Sequence, residues 1–156
     1  MILKVCRVKD ISTARLCGDI GVDMIGLHAI NFLPSSRARI FARIVRNLAY
    51  EYPEMKPVLV TKVTSPIELA WMVSQIGIKN IQIHIRMDLD DLKILPQAIA
   101  DKTRVIPRLI PVIAAQDSEA VKYAEDLRQI IDLFDFFLVD SGWRGGTGQI
   151  APYETL

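Results

Sequence analysis

Residues 136–148 read FFLVDSGWRGGTG, an apolar run that stops at Asp140 and continues directly into a glycine-rich loop. An apolar strand with this ending places a titratable carboxylate at its C-terminal end, and the glycines free backbone N–H groups to approach an anion. The pattern predicts an acid beside a phosphate site; the alternative is an Asp-Ser-Gly turn that only closes a buried strand. Near the other end of the chain, residues 3–6 read LKVC, a second short strand that ends in a reactive residue type, Cys6.

The composition predicts a globular protein of one domain. The chain has 156 residues, of which 51% are hydrophobic, and this is enough to bury a substantial single core. Lys and Arg number 19 against 18 Asp and Glu, and no basic stripe interleaved with aromatic residues is present, so nucleic acid is disfavoured as a partner.

The expected location is the cytoplasm. Cys6 and Cys17 lack the spacing of metal ligands, which fits a reduced compartment. The first residues, MILK, meet a charge after two apolar side chains, so the sequence predicts no signal peptide. No apolar run approaches the roughly 18 residues of a membrane span, so no membrane partner is expected.

Short apolar runs alternate with longer segments of helical period, which predicts a βαβ series and a parallel sheet. Ser65, Pro66 and Glu68 form a capping-box pattern at one helix start, and Asp10 or Ser12 can cap another. The predicted strands lie near residues 2–6, 22–28, 57–63, 79–85, 104–110 and 135–140. The predicted helices lie near residues 10–20, 38–51, 65–77, 88–101 and 117–132.

Two α/β architectures satisfy this alternation. A doubly wound sheet normally has glycines in its first strand-to-helix turn, whereas residues 6–10 read CRVKD. In a (β/α)₈ barrel of the TIM type the chemistry gathers at the C-terminal ends of the strands. The predicted ends carry a polar, titratable ring, although strand ends also collect polar residues simply because they meet solvent. This ring consists of Cys6, His28, Lys62, His84, Arg108 and Asp140.

Five motifs follow one another along the chain: KVC at residues 4–6, GVDMIGL at 21–27, SSR at 35–37, IQIH at 81–84, and LVDS at 138–141 with GGTG at 145–148. Together they resemble, in order and spacing, the motifs of the phosphoribosylanthranilate isomerase family of tryptophan biosynthesis, whose members are (β/α)₈ enzymes.

This resemblance implies roles for individual residues. Cys6 would be the general base and Asp140 the general acid, while Arg37 would contact the anthranilate carboxylate. The loop Gly145, Gly146, Thr147 and Gly148 would form part of the phosphate site. The remaining candidate substrate-binding residues are Gln82, His84 and Arg108. Alternatively, His84 is a hydrogen-bonded residue in the wall of the site that neither donates nor accepts a proton in the reaction.

The implied reaction is an Amadori rearrangement of a phosphorylated sugar, a small-molecule substrate. An acid protonates the ring oxygen of the N-glycoside so that the ring opens to an imine, and a base then removes the proton from C2. This chemistry requires no metal and no redox cofactor. Without the resemblance, an inert, small apolar residue at a strand end is the preferred interpretation of Cys6.

Departures from the family pattern keep other functions open. Arg7 and Ile85 stand where the family has glycine, Ser36 stands for proline, and Thr61 and Lys62 replace an apolar strand end. Arg7 could bind a second anionic group, which would imply a different phosphorylated aminosugar. A non-catalytic binding or regulatory relative with the same fold is the further alternative.

Length adds one more expectation. An eight-stranded barrel takes about 200 to 250 residues, so residues 1–156 are expected to form a single barrel domain that lacks its C-terminal strands. The chain would then be a fragment of a longer protein, or be completed by a homo-oligomer or a partner chain, or fold as an open sheet with exposed edges.

Overall fold

The chain folds as a curved parallel sheet whose helices cover one face. The structure is a computed structural model and describes residues 2–143. In these residues six strands alternate with five α-helices, in agreement with the predicted α/β series. In chain order, the elements are β1 (Lys4–Cys6), α1 (Ile11–Asp19), β2 (Met24–His28), α2 (Ser35–Glu51), β3 (Lys56–Thr61), α3 (Pro66–Ile76), β4 (Asn80–Ile83), α4 (Leu89–Thr103), β5 (Arg108–Ala114), α5 (Ala120–Arg128), a 3₁₀ turn (Ile131–Leu133) and β6 (Leu138–Asp140).

All six strands are parallel, and their order in the sheet is their order in the chain. The C-terminal ends of the strands therefore lie at one edge. Lys4 of β1 donates a hydrogen bond to Gln82 of β4 although β2 and β3 lie between these strands. Such a contact requires the sheet to curl, so the described strands form part of a barrel.

Strand register separates the two faces of the sheet. Cys6 pairs with Gly26, Gly26 with Val58, and Val58 with Asn80, and the same parity continues to Asp140, which pairs with Ala114. Because side chains alternate along a strand, the even-numbered residues of every strand face the inside of the curve. The odd-numbered residues face the helices.

Both faces carry apolar side chains, which explains why the strands read as continuous apolar runs. Between the sheet and the helices lies the main core, in which Leu27, Leu59 and Ile81 are fully buried. A smaller inner cluster holds Met24, Val58, Val60 and Ile110.

The predicted helix starts are confirmed where a polar cap is present. Asp10 Oδ1 accepts a hydrogen bond from the Thr13 amide at 2.8 Å and begins α1. Ser65 Oγ accepts one from the Glu68 amide at 3.5 Å, with Pro66 in the first position of α3. Gly77 ends α3 with φ of 75°, a conformation that glycine adopts readily.

Two predicted boundaries are wrong in ways that move site residues. Helix α2 begins at Ser35, so Arg37 lies in its first turn and not in the loop before it. Strand β5 spans Arg108–Ala114, whereas the predicted strand covered residues 104–110 and had Arg108 near its C-terminal end. The apolar residues Val105 and Ile106 suggested a strand, but they belong to the connection after α4.

Strand β5 contains a proline. Pro111 lies inside the strand, where the pairing partner changes. The residues up to Pro111 pair with β4, and the residues from Val112 onward pair with β6. In the part of the chain that the structure describes, no helix has both the length and the apolar character needed to cross a membrane.

Candidate functional site

A cleft of about 330 Å³ opens at the C-terminal ends of the strands. Four of the predicted site residues line it, namely Cys6, Gln82, His84 and Asp140, together with Lys62. Cys6, Gln82 and Asp140 lie in β1, β4 and β6, while Lys62 and His84 directly follow β3 and β4. The shared register points the side chains of Cys6, Gln82 and Asp140 toward the inside of the curve. The structure therefore brings together residues that are up to 134 positions apart in the sequence.

Cys6 ends β1 and is exposed to the cleft. Its neighbour in register is Gly26, where an added Cβ would lie 2.9 Å from the Cys6 sulfur and 3.3 Å from its Cα. Any larger residue at position 26 would displace the thiol, so Gly26 makes room for it. Gly26 is not among the residues predicted from the sequence to form the site, although a glycine inside an apolar strand often marks a close approach.

Asp140 ends β6 and is held by the turn that follows. Its Oδ1 accepts a hydrogen bond from the Ser141 amide at 2.7 Å, and its Oδ2 lies 3.8 Å from His84 Nε2. The Asp140 backbone carbonyl accepts a bond from the Ala115 amide at 2.8 Å, which fixes the end of β6 against β5.

A chain of polar side chains crosses the inner face from Lys4 to Asp140. Lys4 Nζ donates a hydrogen bond to Gln82 Oε1, and this bond determines the orientation of the Gln82 amide group. The amide nitrogen Nε2 then lies 3.2 Å from His84 Nδ1. The amide nitrogen can only donate, so His84 Nδ1 accepts and carries no proton. Neutral His84 therefore holds its proton on Nε2, the nitrogen nearest to Asp140.

Burial lowers the pKa of His84 below its ordinary value, while the Asp140 carboxylate and a backbone hydrogen bond to Trp143 oppose that shift. The nearby charges of Lys62 and Lys4 lower the pKa further. His84 is therefore neutral at pH 7, and it faces Asp140 as a polar N–H group and not as a cation.

His28 ends β2 and has a different environment. Its Nε2 is buried and has no hydrogen-bond partner among residues 2–143. Burial, followed by the nearby positive charges of Lys4 and Arg7, lowers the pKa of His28 to about 4. His28 is thus a neutral, partly apolar wall of the site at physiological pH.

A second, larger cleft of about 740 Å³ adjoins the first and shares Arg7, His28 and Ile30 with it. Arg37 lies on this cleft, with Lys9 and the apolar side chains of the α2 face. The structure therefore places Arg37 beside the Cys6 cleft, on a wall of the adjoining space.

One predicted site residue lies away from this cleft, and one predicted loop lies outside the described residues. Arg108 begins β5, at the opposite edge of the sheet, where it forms an ion pair with Asp135 at 2.6 Å. The expectation that Arg108 lies at a strand's C-terminal end is wrong because β5 starts four residues later than predicted. Gly145, Gly146, Thr147 and Gly148 lie outside the described residues.

Asp117 lies in the loop that follows the C-terminal end of β5 at Ala114 and does not line the Cys6 cleft. Asp117 Oδ2 accepts a hydrogen bond from Trp143 Nε1 at 2.9 Å, which ties the segment after β6 to the loop after β5. In the described range, no three or more His, Cys, Asp and Glu side chains cluster so that they could hold a metal ion.

The fold and the site define a class: an α/β half-barrel with a polar cleft at the C-terminal ends of its strands. No family model matches the chain. Two curated N-(5′-phosphoribosyl)anthranilate isomerases, from Leptospira borgpetersenii serovar Hardjo-bovis strains JB197 and L550, are each 28% identical over 154 residues. The matches cover 94% of this chain, and the chain spans 65% of the length of these relatives.

Solved structures show the same fold. Phosphoribosyl anthranilate isomerase from Thermotoga maritima matches with a TM-score of 0.69 at 18% identity, over 97% of this chain and 68% of that one. The enzyme from Thermus thermophilus matches with a TM-score of 0.68 at 17% identity, over 99% and 69%. The resemblance to the phosphoribosylanthranilate isomerase family is therefore confirmed, and the fold is a partial TIM barrel.

The amide orientation of Gln82 predicts the tautomer of His84. Long-range ¹H–¹⁵N correlation at pH 8 should place the His84 proton on Nε2. In Gln82→Glu the side chain offers His84 only acceptors, so Nδ1 should become protonated. A wild-type proton on Nδ1 would contradict the assigned chain of bonds.

The depressed pKa of His28 predicts a pH-dependent stability. The unfolded chain binds a proton at His28 near the ordinary pKa of about 6.5, whereas the folded chain does so only near 4. The free energy of unfolding should therefore fall as pH decreases from about 6.5 toward 4. Urea unfolding of wild type and His28→Gln measures this, and the variant should show a shallower pH slope.

The chain has two histidines, so NMR titration of His84→Gln isolates His28 as the control. A His28 midpoint near 6.5 in that variant would rule out the proposed environment.

Proposed function

We propose that the chain carries the acid and base of a phosphoribosylanthranilate isomerase. The reaction is the rearrangement of N-(5-phosphoribosyl)anthranilate to 1-(o-carboxyphenylamino)-1-deoxyribulose 5-phosphate. The observation that carries the proposal is the common cleft of Cys6 and Asp140 at the C-terminal ends of β1 and β6. Both residue types suit the two proton transfers that the reaction needs.

Asp140 is the proposed acid. It donates a proton to the ring oxygen of the ribose, the bond between this oxygen and C1 breaks, and the nitrogen lone pair forms a protonated C1 imine. His84 would position Asp140 as a neutral polar neighbour, with Nε2 lying 3.8 Å from Oδ2. In this role His84 stays neutral and remains a positioning residue.

Cys6 is the proposed base. Its thiolate removes the proton from C2, and the electron pair moves through C1 to the imine nitrogen, which gives an enolamine. The enolamine then gains a proton at C1 and loses the C2 hydroxyl proton, so C2 becomes the ketone. Gly26 supports this step because it leaves the sulfur room to face the cleft.

Substrate binding divides between the two clefts in this proposal. Arg37, in the first turn of α2, would contact the anthranilate carboxylate from the larger cleft. Gln82 and His84 would line the sugar side of the smaller cleft. The loop of residues 145–148, outside the described residues, would bind the phosphate.

One observation favours a second candidate, an isomerase of a different phosphorylated aminosugar. Arg7 lines both clefts, directly after the proposed base. A long, positively charged side chain at this position changes the charge and the volume available to the aglycone, the aromatic amine attached to the sugar. A binding or regulatory relative without catalysis would keep the same clefts and lack turnover.

Replacement of the proposed acid or base should remove turnover while the fold survives. In Cys6→Ser and Asp140→Asn we expect the rate to fall by about 100-fold or more, the range typical of general acid–base catalysis. Loss of phosphoribosylanthranilate fluorescence reports the rate, and far-UV circular dichroism reports the fold.

Cys17→Ala is the matched control, because Cys17 is buried in α1 and does not line the cleft. Full activity in Cys6→Ser or Asp140→Asn would remove that residue from its proposed role, and an inactive Cys17→Ala would point to general destabilisation.

We propose that the half-barrel is part of one larger barrel domain. Within residues 2–143, β1 pairs only with β2 and β6 only with β5. Leu3, directly before β1, is 49% exposed, and Val139 of β6 is 37% exposed. By contrast, Leu27 and Leu59 of inner strands are fully buried. Further βα units of the same protein would cover these positions.

The product of the complete coding sequence should therefore exceed the 17.6 kDa of these 156 residues and protect the β1 amides from hydrogen exchange. Light scattering and exchange mass spectrometry measure both quantities. If the 17.6 kDa chain instead formed an oligomer, a second copy of the chain would cover the edge strands, and the proposal would be wrong. A folded 17.6 kDa monomer with full turnover would contradict the proposal.

A further inference from the structure

Arg7 has a backbone conformation that side chains usually avoid. Its φ is 62°, in the left-handed region, where a Cβ crowds the neighbouring carbonyl and glycine is favoured. Strained non-glycine residues persist where the surrounding structure holds them, and they cluster at functional sites. The conformation of Arg7 therefore marks it as a candidate functional residue.

The surroundings hold Arg7 at the mouth of the site. It follows Cys6 directly, and the next residue, Val8, is buried and donates its amide to the Gly26 carbonyl at 3.1 Å. This turn is thus tied to β2 on the side of the Cys6 sulfur. From here the exposed Arg7 side chain reaches both clefts.

The larger cleft carries uncompensated positive charge. Arg7, Lys9 and Arg37 line it, and none of them forms an ion pair with an Asp or Glu among the described residues. Elsewhere on the surface, Arg15 and Arg86 are paired with Glu51 and Glu119. A cleft with cations of one sign attracts and concentrates anionic ligands.

Apart from Asn31 and His28, the remaining side chains that line this cleft are apolar. Ile40 and Phe41 come from α2, and Ile30 and Phe32 come from the segment after β2. A concave site with apolar walls and a few charged groups fits an aromatic ring whose substituents are charged. The volume of about 740 Å³ accommodates more than a single benzoate-sized group.

We propose that the cleft binds an aromatic amine that carries two anionic groups, one held by Arg37 and the other by Arg7. The two guanidinium groups come from different elements, the turn after β1 and the first turn of α2. A guanidinium pairs with one carboxylate in a bidentate geometry, so two such groups can select two carboxylates. The proposal rests on the proposed function, since this amine would be the aglycone of the isomerised sugar.

The test compares two fluorescent probes that differ by one carboxylate, anthranilate and 2-aminoterephthalate. Fluorescence titration of the chain should give about tenfold tighter binding of 2-aminoterephthalate, the equivalent of one charge-assisted hydrogen bond. Arg7→Gly and Arg7→Met should both abolish this preference and change anthranilate binding by less than about twofold. Equal affinities in the wild type, or a preference that survives in either variant, would overturn the proposal.

Arg43→Met is the matched control, because Arg43 is an exposed arginine of α2 outside both clefts, and it should keep the full preference. Thermal unfolding separates binding from stability: Arg7→Gly should be more stable than wild type because glycine relieves the positive φ, whereas Arg7→Met should not. If Arg43→Met also lost the preference, general surface charge would replace Arg7 as the cause.

Turnover of phosphoribosylanthranilate is measured in parallel to distinguish the two proposals. A wild type that prefers 2-aminoterephthalate through Arg7 but shows no turnover in the complete protein would overturn the proposed function and retain the second anion site. Turnover without the preference would retain the isomerase and overturn the second site.

Discussion

The parallel register of the six strands is the constraint on which the site depends. Because each strand pairs in step with the next, residues of one parity face the inside of the curve in all six strands. A shift of one residue in any pairing would turn its side chains toward the helices. Cys6 and Asp140 meet at one cleft only because this register holds from β1 to β6.

The curl of the sheet adds a second requirement, which the polar chain from Lys4 to Asp140 meets. Lys4, Gln82 and His84 occupy the inside of the curve, where an unsatisfied polar group would cost about 1–3 kcal/mol. Each of these groups has a partner, and together they bridge β1 and β4 across two intervening strands. The same bonds that satisfy the interior also set the tautomer of His84 beside Asp140.

Two positions next to Cys6, Gly26 and Arg7, differ in how steric constraints relate to the side chain present. At Gly26 a side chain is absent because the Cys6 sulfur occupies its space. At Arg7 a side chain is present although the left-handed backbone favours its absence. The first position clears the thiol, and the second places a cation beside it.

The sequence by itself determined the element types, most boundaries and the candidate residues Cys6, Gln82, His84 and Asp140. These follow from apolar periodicity, from caps such as Ser65, and from motifs whose spacing resembles one enzyme family. Only the tertiary structure decided that Arg108 begins β5, because pairing with β4 outweighed the local apolar pattern of Val105 and Ile106. It also decided the partnership of Lys4 with Gln82 and of Gly26 with Cys6. Such contacts depend on register and curvature, which arise from long-range packing and not from local residue preference.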